Sequence, residues 1–223
     1  MKVLLFDIDG TLLRAYGAGS EAMRRAAVKL LGERCHGAQI DLGGALDPWI
    51  FERLASHGGY EVDDSMHARF RPLYAELLVE QLAKPESKCL AMPGVHTLLA
   101  HLREAKSWTM GLLTGNFAET GAIKLRRAGI EVEQFEIAAW GDMAKTRPGL
   151  VPVALAQLPR TVASRDVIVI GDTVRDVHAA HENGAICLAV TTGGSTRSQL
   201  EEAGADVVLD NLEDLEAVLK HIS

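Results

Sequence analysis

Hydrophobic residues along this chain gather into short unbroken runs separated by amphipathic stretches. Five apolar, β-branched runs, Val3–Phe6, Trp108–Leu113, Val167–Ile170, Ile186–Val190 and Val207–Leu209, show no polar alternation, and Glu136–Trp140 is a weaker sixth. Such runs predict strands of a parallel sheet covered on both faces, because a strand with one wet face alternates polar and apolar side chains. Helical periods lie between them. Val95, Leu98, Leu99 and Leu102 fall on one helix face, and Leu212, Leu215, Val218 and Leu219 form another stripe. Strands alternating with helices predict an α/β fold built on an open, doubly wound parallel sheet.

One interval breaks the alternation. Residues 15–90 offer helices but no convincing strand. Met23, Ala26, Ala27, Leu30 and Leu31 share one face of a helix with Ser20 as its expected N-cap and Gly32 at its end. Asp47-Pro48 reads as an N-cap followed by proline, opening a helix over Trp49–Ser56 that stops near Gly58-Gly59. A third helix is expected over Asp64–Ala83, kinked at Pro72. The chain therefore divides into a core of residues 1–14 and 91–223 and an all-helical insert of residues 15–90. An insert leaving directly after the first strand lies over the C-terminal edge of the sheet, where open α/β sheets bind ligands.

Composition narrows the function classes. A length of 223 residues with 48% hydrophobic and 24% charged residues suits one core with a smaller insert. The formal net charge of −7 gives no bulk attraction to nucleic acid or anionic lipid, so neither is an expected partner. Cys35, Cys89 and Cys187 are far apart and odd in number, which favours a reducing compartment over a disulfide framework or a zinc site. No apolar run reaches the length of a membrane span or a secretory signal, and the expected location is the cytoplasm.

Candidate chemistry concentrates at strand ends. Asp7-Ile8-Asp9-Gly10-Thr11 follows the first strand and should deliver two carboxylates to one side of the sheet edge, with Gly10 allowing a sharp turn. A bare pair of this kind is more often a turn signal. After a buried strand, however, two carboxylates are costly without a metal or a reacting group. Gly171-Asp172-Thr173-Val174-Arg175-Asp176 follows another buried strand in the same manner. Together Asp7, Asp9, Asp172 and Asp176 make an oxygen-rich pocket suited to Mg²⁺. Thr114-Gly115-Asn116 ends the strand Trp108–Leu113 as a phosphate cradle, and Lys145 and Arg147-Pro148 bring cations to the same edge. Pro148 biases Arg147 towards an extended backbone, aimed along the edge at Asp7.

In that order these segments resemble the four motifs of the haloacid dehalogenase-like hydrolase superfamily, and the helical insert resembles the cap of its phosphoglycolate phosphatase-like branch. The resemblance covers essentially the whole chain. It implies a Rossmann-like core and a Mg²⁺-dependent phosphatase acting on a small phosphorylated metabolite. Asp7 would be the nucleophile that becomes an aspartyl phosphate, and Asp9 the acid and base. Thr114, Gly115 and Asn116 would bind the phosphoryl group, and Arg147 or Lys145 would neutralise it. Asp172 would ligate the metal beside Asp7 and the Asp9 carbonyl, with Asp176 in support. The dehalogenating members lack an aspartate at the position of Asp9, so the resemblance favours phosphoryl chemistry. A phosphomutase, a phosphonate hydrolase and a non-catalytic aspartate-phosphorylated binding module are the alternatives, and a monomer or homodimer is expected.

Two departures stand out. The family usually has lysine before the proline of its third motif, where this chain has Arg147, with Lys145 two residues earlier. Related caps often read G-R-T-D where this chain reads Gly44-Ala45-Leu46-Asp47, which removes a cation from the loop facing the site. Within the cap, Asp47 and Trp49 are the candidate substrate contacts. Gly17-Ala18-Gly19-Ser20-Glu21-Ala22 matches a dinucleotide fingerprint but starts well past the first strand, and is read as the hinge into the cap. His178 and His181 share a helix without a third ligand nearby and are read as surface residues.

Overall fold

The computed structural model describes residues 2–35 and 40–223. In chain order its elements begin with β1 (Lys2–Phe6), β2 (Leu13–Arg14), α1 (Ala18–Leu31), α2 (Asp47–His57), α3 (Asp64–Ala83), β3 (Leu90–Ala91) and α4 (Val95–Ala105). They continue with β4 (Trp108–Leu113), α5 (Ala118–Arg127), β5 (Ile137–Ala139), α6 (Arg147–Leu155), β6 (Val167–Gly171), α7 (Val174–Glu182), β7 (Ile186–Val190), α8 (Arg197–Glu202), β8 (Val207–Leu209) and α9 (Leu215–Ile222).

Six parallel strands make one sheet in the order β5-β4-β1-β6-β7-β8. The central strand β1 sits between β4 and β6, with Val3 opposite Thr109 and Val167 and Phe6 opposite Leu112 and Ile170. Both faces are covered, and that is why the strands read as continuous apolar runs. Leu4, Phe6, Leu112, Ile168, Ile170 and Leu188 pack on one face with Leu98, Leu102 and Val218 of α4 and α9. Val3, Leu5, Leu113, Val167, Val169 and Cys187 pack on the other with Leu150, Val177 and Leu200 of α6, α7 and α8. The run expected over Glu136–Trp140 is a strand only at Ile137–Ala139. Among the described residues no helix is long and apolar enough to cross a membrane.

The helical insert α1–α3 leaves the sheet between β1 and β4. Its entry and exit chains pair as a two-stranded antiparallel ribbon, Leu13 opposite Ala91 and Arg14 opposite Leu90. Strands of two residues are too short to leave a hydrophobic period, so the pattern did not predict them. Helix α1 starts earlier than Ser20 because Gly17, at φ 85°, turns the chain directly into Ala18. Ser20 lies in the first turn, and its hydroxyl donates to the Gly17 carbonyl at 2.9 Å. Helix α3 runs through Pro72 and is capped by Asp63, which accepts from the Met66 N–H at 2.8 Å. Phe51 of α2 stacks on Phe70 of α3 at 3.8 Å between ring centroids, and Phe70 meets Tyr74 at 5.7 Å, which gives the insert its own aromatic core.

Candidate active site

The two acidic clusters meet because β1 and β6 are neighbours. Asp7 continues the sheet by donating its N–H to the Ile170 carbonyl at 2.9 Å, while Ile8 is fully buried in the core. Alternation therefore turns Asp7 and Asp9 to the same side. Gly10 follows at φ +88°, and a Cβ there would fall 2.5 Å from Asp172 Oδ2. Glycine is thus required twice, for the turn and for the close approach of the second cluster. Asp172 is held by the Thr11 hydroxyl at 3.0 Å on Oδ1 and by the Gly194 N–H at 2.7 Å on Oδ2. Asp176 closes a capping box at the start of α7, where its Oδ2 accepts from the Thr173 N–H at 3.0 Å and hydroxyl at 2.7 Å.

Asp7, Asp172 and Asp176 are buried, and each offers an oxygen within 4.8 Å of the others. Burial pushes the Asp7 carboxyl up to about 6, against the lowering effect of Arg147, with Asp176 and Asp9 adding repulsion. Burial, then repulsion from Asp7 and Asp176, pushes Asp172 up to about 8. Three buried carboxylates facing one guanidinium leave a net negative, oxygen-only cluster, and this donor set fits a hard divalent cation. Asp172 and Asp176 each accept protein hydrogen bonds on both oxygens, whereas Asp7 is held on Oδ1 alone. Among the described residues the triad oxygen without a protein donor is therefore Asp7 Oδ2. The Asp9 carboxylate stands outside the triad.

Arg147 is the guanidinium of this cluster. Its side chain is 4% exposed, and Nη2 lies 2.9 Å from Asp7 Oδ1 and 2.6 Å from Asp176 Oδ1. Nε adds a second bond to Asp176 at 2.9 Å, and Nη1 donates to the Gly44 carbonyl of the insert at 3.1 Å. The backbone differs from the extended one that Pro148 suggested, because Arg147 is the first residue of α6. Proline is tolerated in a first turn, whose N–H groups lack intrahelical partners anyway. Lys145 instead lines a neighbouring cavity of about 160 Å³ with Trp49, Thr146 and Arg175.

The loop after β4 enters from the other side. Thr114 is fully buried, and its Oγ1 accepts from the Asn116 side-chain amide at 2.8 Å. Gly115 and Asn116 line the main cavity, of about 510 Å³, together with Asp7, Asp9, Asp47 and Arg147. The insert closes on this loop: the Asp47 N–H donates to the Gly115 carbonyl at 2.7 Å. Asp47 is the first residue of α2 and not its cap. Its carboxylate reaches across to the core, accepting from the Phe117 N–H at 2.9 Å and the Thr120 hydroxyl at 3.3 Å at the start of α5. Burial raises its pKa to about 6, against the opposing charge of Lys124. Trp49 is 37% exposed, lies outside the main cavity, and carries the Arg53 guanidinium 5.1 Å above its ring. His181 pairs at the surface with Asp206 at 3.1 Å.

Sequence reasoning missed Lys124. Its ammonium lies 2.6 Å from Asp9 Oδ2 and 2.7 Å from Asn116 Oδ1, with the side chain only 6% exposed. A signal did exist, since Lys124 shares the buried face of α5 with Gly121 and Leu125. A lysine on an inward face needs a partner.

The chain matches the haloacid dehalogenase-like hydrolase family over residues 1–184. A phosphoglycolate phosphatase of Synechococcus elongatus is 30% identical over 223 aligned residues, covering 96% of this chain and 95% of that one. A phosphoglycolate phosphatase of Nitrosospira multiformis is 26% identical, covering 95% of this chain and 92% of its own. The crystal structure of CbbY from Rhodobacter sphaeroides in complex with xylulose 1,5-bisphosphate is 25% identical, covers 96% of each chain and superposes with a TM-score of 0.67. With a parallel sheet, an inserted helical cap and a buried aspartate triad at the sheet edge, this chain belongs to the haloacid dehalogenase-like hydrolases.

Proposed function

We propose that the chain is a Mg²⁺-dependent phosphatase that hydrolyses small phosphate monoesters through an aspartyl phosphate on Asp7. The observation that carries this reading is the Asp7 carboxylate itself, held on Oδ1 by Arg147 at 2.9 Å and lining the cavity beside Asp9. An anionic nucleophile approaches an anionic phosphate only where fixed positive charge offsets their repulsion. Asp7 attacks phosphorus, the P–O bond to the alcohol breaks, and Asp9 gives its proton to the leaving oxygen. Asp9 then takes a proton from water, which attacks the phosphorus and frees Asp7 and inorganic phosphate. Thr114, Gly115 and Asn116 receive phosphoryl oxygens at the start of α5. Asp7, Asp172 and the Asp9 carbonyl would hold Mg²⁺, with Asp176 in support. The ion, when bound, offsets the charge of carboxylate and phosphoryl oxygens.

The test is turnover of p-nitrophenyl phosphate by purified protein. Excess chelator should abolish it, Mg²⁺ should restore it, and Asp172→Ala should need far more metal. Calcium should inhibit, since its looser coordination spoils the in-line geometry. Full activity in excess chelator would sink the metal reading.

The Synechococcus elongatus and Nitrosospira multiformis relatives are named for phosphoglycolate and the CbbY complex holds a bisphosphate. Both molecules carry a second anionic group. The loop Gly44-Ala45-Leu46-Asp47 supplies no cation for one. Three cations line the main cavity, Arg14, Lys124 and Arg147, and the latter two are paired with aspartates. Arg14, at the ribbon into the cap, has no carboxylate partner among the described residues and lies 5.9 Å over the Tyr16 ring. We read it as the contact for a distal carboxylate or phosphate. Arg14→Ala should lower kcat/KM on 2-phosphoglycolate by about tenfold to 100-fold, the usual range for a charged contact, and much less on p-nitrophenyl phosphate. Parallel losses on both esters would remove Arg14 from substrate recognition.

A further inference from the structure

Lys124 is a costly residue to place on an inward helix face, and its surroundings show what it is placed there to do. Its ammonium and the Asn116 amide both bind Asp9 Oδ2, at 2.6 and 2.9 Å, and the ammonium in turn binds Asn116 Oδ1 at 2.7 Å. This closed triangle fixes one oxygen of Asp9. Oδ1 takes no hydrogen bond from the described residues, and Asp9 lines the main cavity. The grip therefore leaves one defined oxygen for proton transfer.

The far side of Lys124 belongs to the cap. Gly19 of α1 packs so closely that a Cβ there would fall 3.1 Å from both Lys124 Cε and Nζ, and 3.5 Å from the Tyr74 hydroxyl of α3. The Asp47 carboxylate of α2 adds its charge to those acting on the ammonium. Helices α1 and α2 of the cap thus bear on one lysine of the core, and that lysine bears on Asp9. Gly19 has no left-handed backbone to explain it; the contact with Lys124 does.

We propose that Lys124 is a positioning residue that couples docking of the cap to the aim of Asp9. The proposal rests on the reading of Asp9 as the acid and base. When the cap seats, Gly19 confines the lysine tip, and the tip with Asn116 pins Asp9 Oδ2. When the cap lifts, the lysine gains freedom and Asp9 loses its fixed aim.

The experiment follows both half-reactions of p-nitrophenyl phosphate with Mg²⁺ in wild type, Lys124→Met and Gly19→Ala. Formation of the phosphoenzyme scarcely needs an acid with this leaving group, and kcat/KM reports only steps up to that point. Release of phosphate by water needs Asp9 as a base. In Lys124→Met, kcat should fall by about 100-fold, the cost of misplacing a reacting group by about 1 Å, while kcat/KM falls by no more than about fivefold. Intact-protein mass should then show a phosphoryl group accumulating on the protein. Gly19→Ala keeps every charge and favours the helix, yet must push the lysine tip aside. It should give the same split at about tenfold in kcat, and it serves the test even if Lys124→Met does not fold. Equal losses in kcat and kcat/KM without phosphoprotein in Gly19→Ala, or wild-type kinetics in both variants, overturn the positioning role alone. A wild type inert on this ester with Mg²⁺ overturns the phosphatase reading and this proposal with it.

Discussion

Asp7→Asn should remove turnover of every phosphate ester, with a loss on the order of 10⁴-fold or more, the scale seen when a covalent nucleophile is deleted. The amide keeps the shape of the side chain but offers neither a lone-pair anion for phosphorus nor a negative ligand for a cation. The fold should survive, and in metal-free buffer near neutral pH it should gain stability. The sign follows from burial, which raises the Asp7 carboxyl from 3.8 to about 6 in the folded chain. A raised carboxyl favours the fold while protonated, and that contribution is lost as pH rises through about 6. The amide is neutral throughout and escapes the loss. Thermal melts of metal-free protein should thus place Asp7→Asn above wild type at pH 7.5, with the gap closing towards pH 4. Addition of Mg²⁺ should raise the wild-type melting temperature and move the mutant far less. Undiminished activity in clean mutant protein would end the case for Asp7 as nucleophile.

Much of this architecture could be read from the chain because two physical signals coincide. Strands buried on both faces cannot afford polar alternation, so β1, β4, β6 and β7 stand out as runs. Carboxylates placed directly after such runs, at Asp7 and Asp172, mark the edge of the sheet where those strands end. Neighbouring order is a tertiary fact, and the sheet supplies it by setting β6 beside β1. What stayed hidden has a common cause, since each hidden feature is a contact between distant segments. The ribbon of β2 and β3 joins residues on either side of the insert. Asp47 looked like the cap of its own helix, yet its carboxylate serves the start of α5. Lys124 stands in sequence beside the basic pair Arg126 and Arg127, but the turn of α5 carries it inward to Asp9. Local propensity sees a helix face and cannot see which distant carboxylate will meet it.

The same distinction decides between the two cations of the third motif. Arg147→Ala should lower kcat/KM by about 10² to 10³, the usual cost of losing a preorganised group that stabilises transition-state charge. Lys145→Ala should change it by much less, because Lys145 lines the smaller cavity and not the main one, whereas Arg147 lines both and touches Asp7. Arg147 also has a structural task. It joins Asp7 and Asp176 through one guanidinium and ties the Gly44 carbonyl of the cap to the same point. Deleting it leaves two buried carboxylates without their counter-charge, and breaking a buried pair in this way costs about 3–5 kcal/mol. The variant should therefore melt lower than wild type in chelator, with Mg²⁺ restoring part of the difference by supplying charge to the cluster. Arg147→Lys separates the two tasks. It keeps one positive charge but loses the planar fork that reaches both aspartates and the carbonyl together. Its activity should fall between wild type and Arg147→Ala, and its melting temperature should recover only in part. A large loss at Lys145→Ala with near-normal rates at Arg147→Ala would transfer the role to Lys145 and make the Arg147 cluster a purely structural tie.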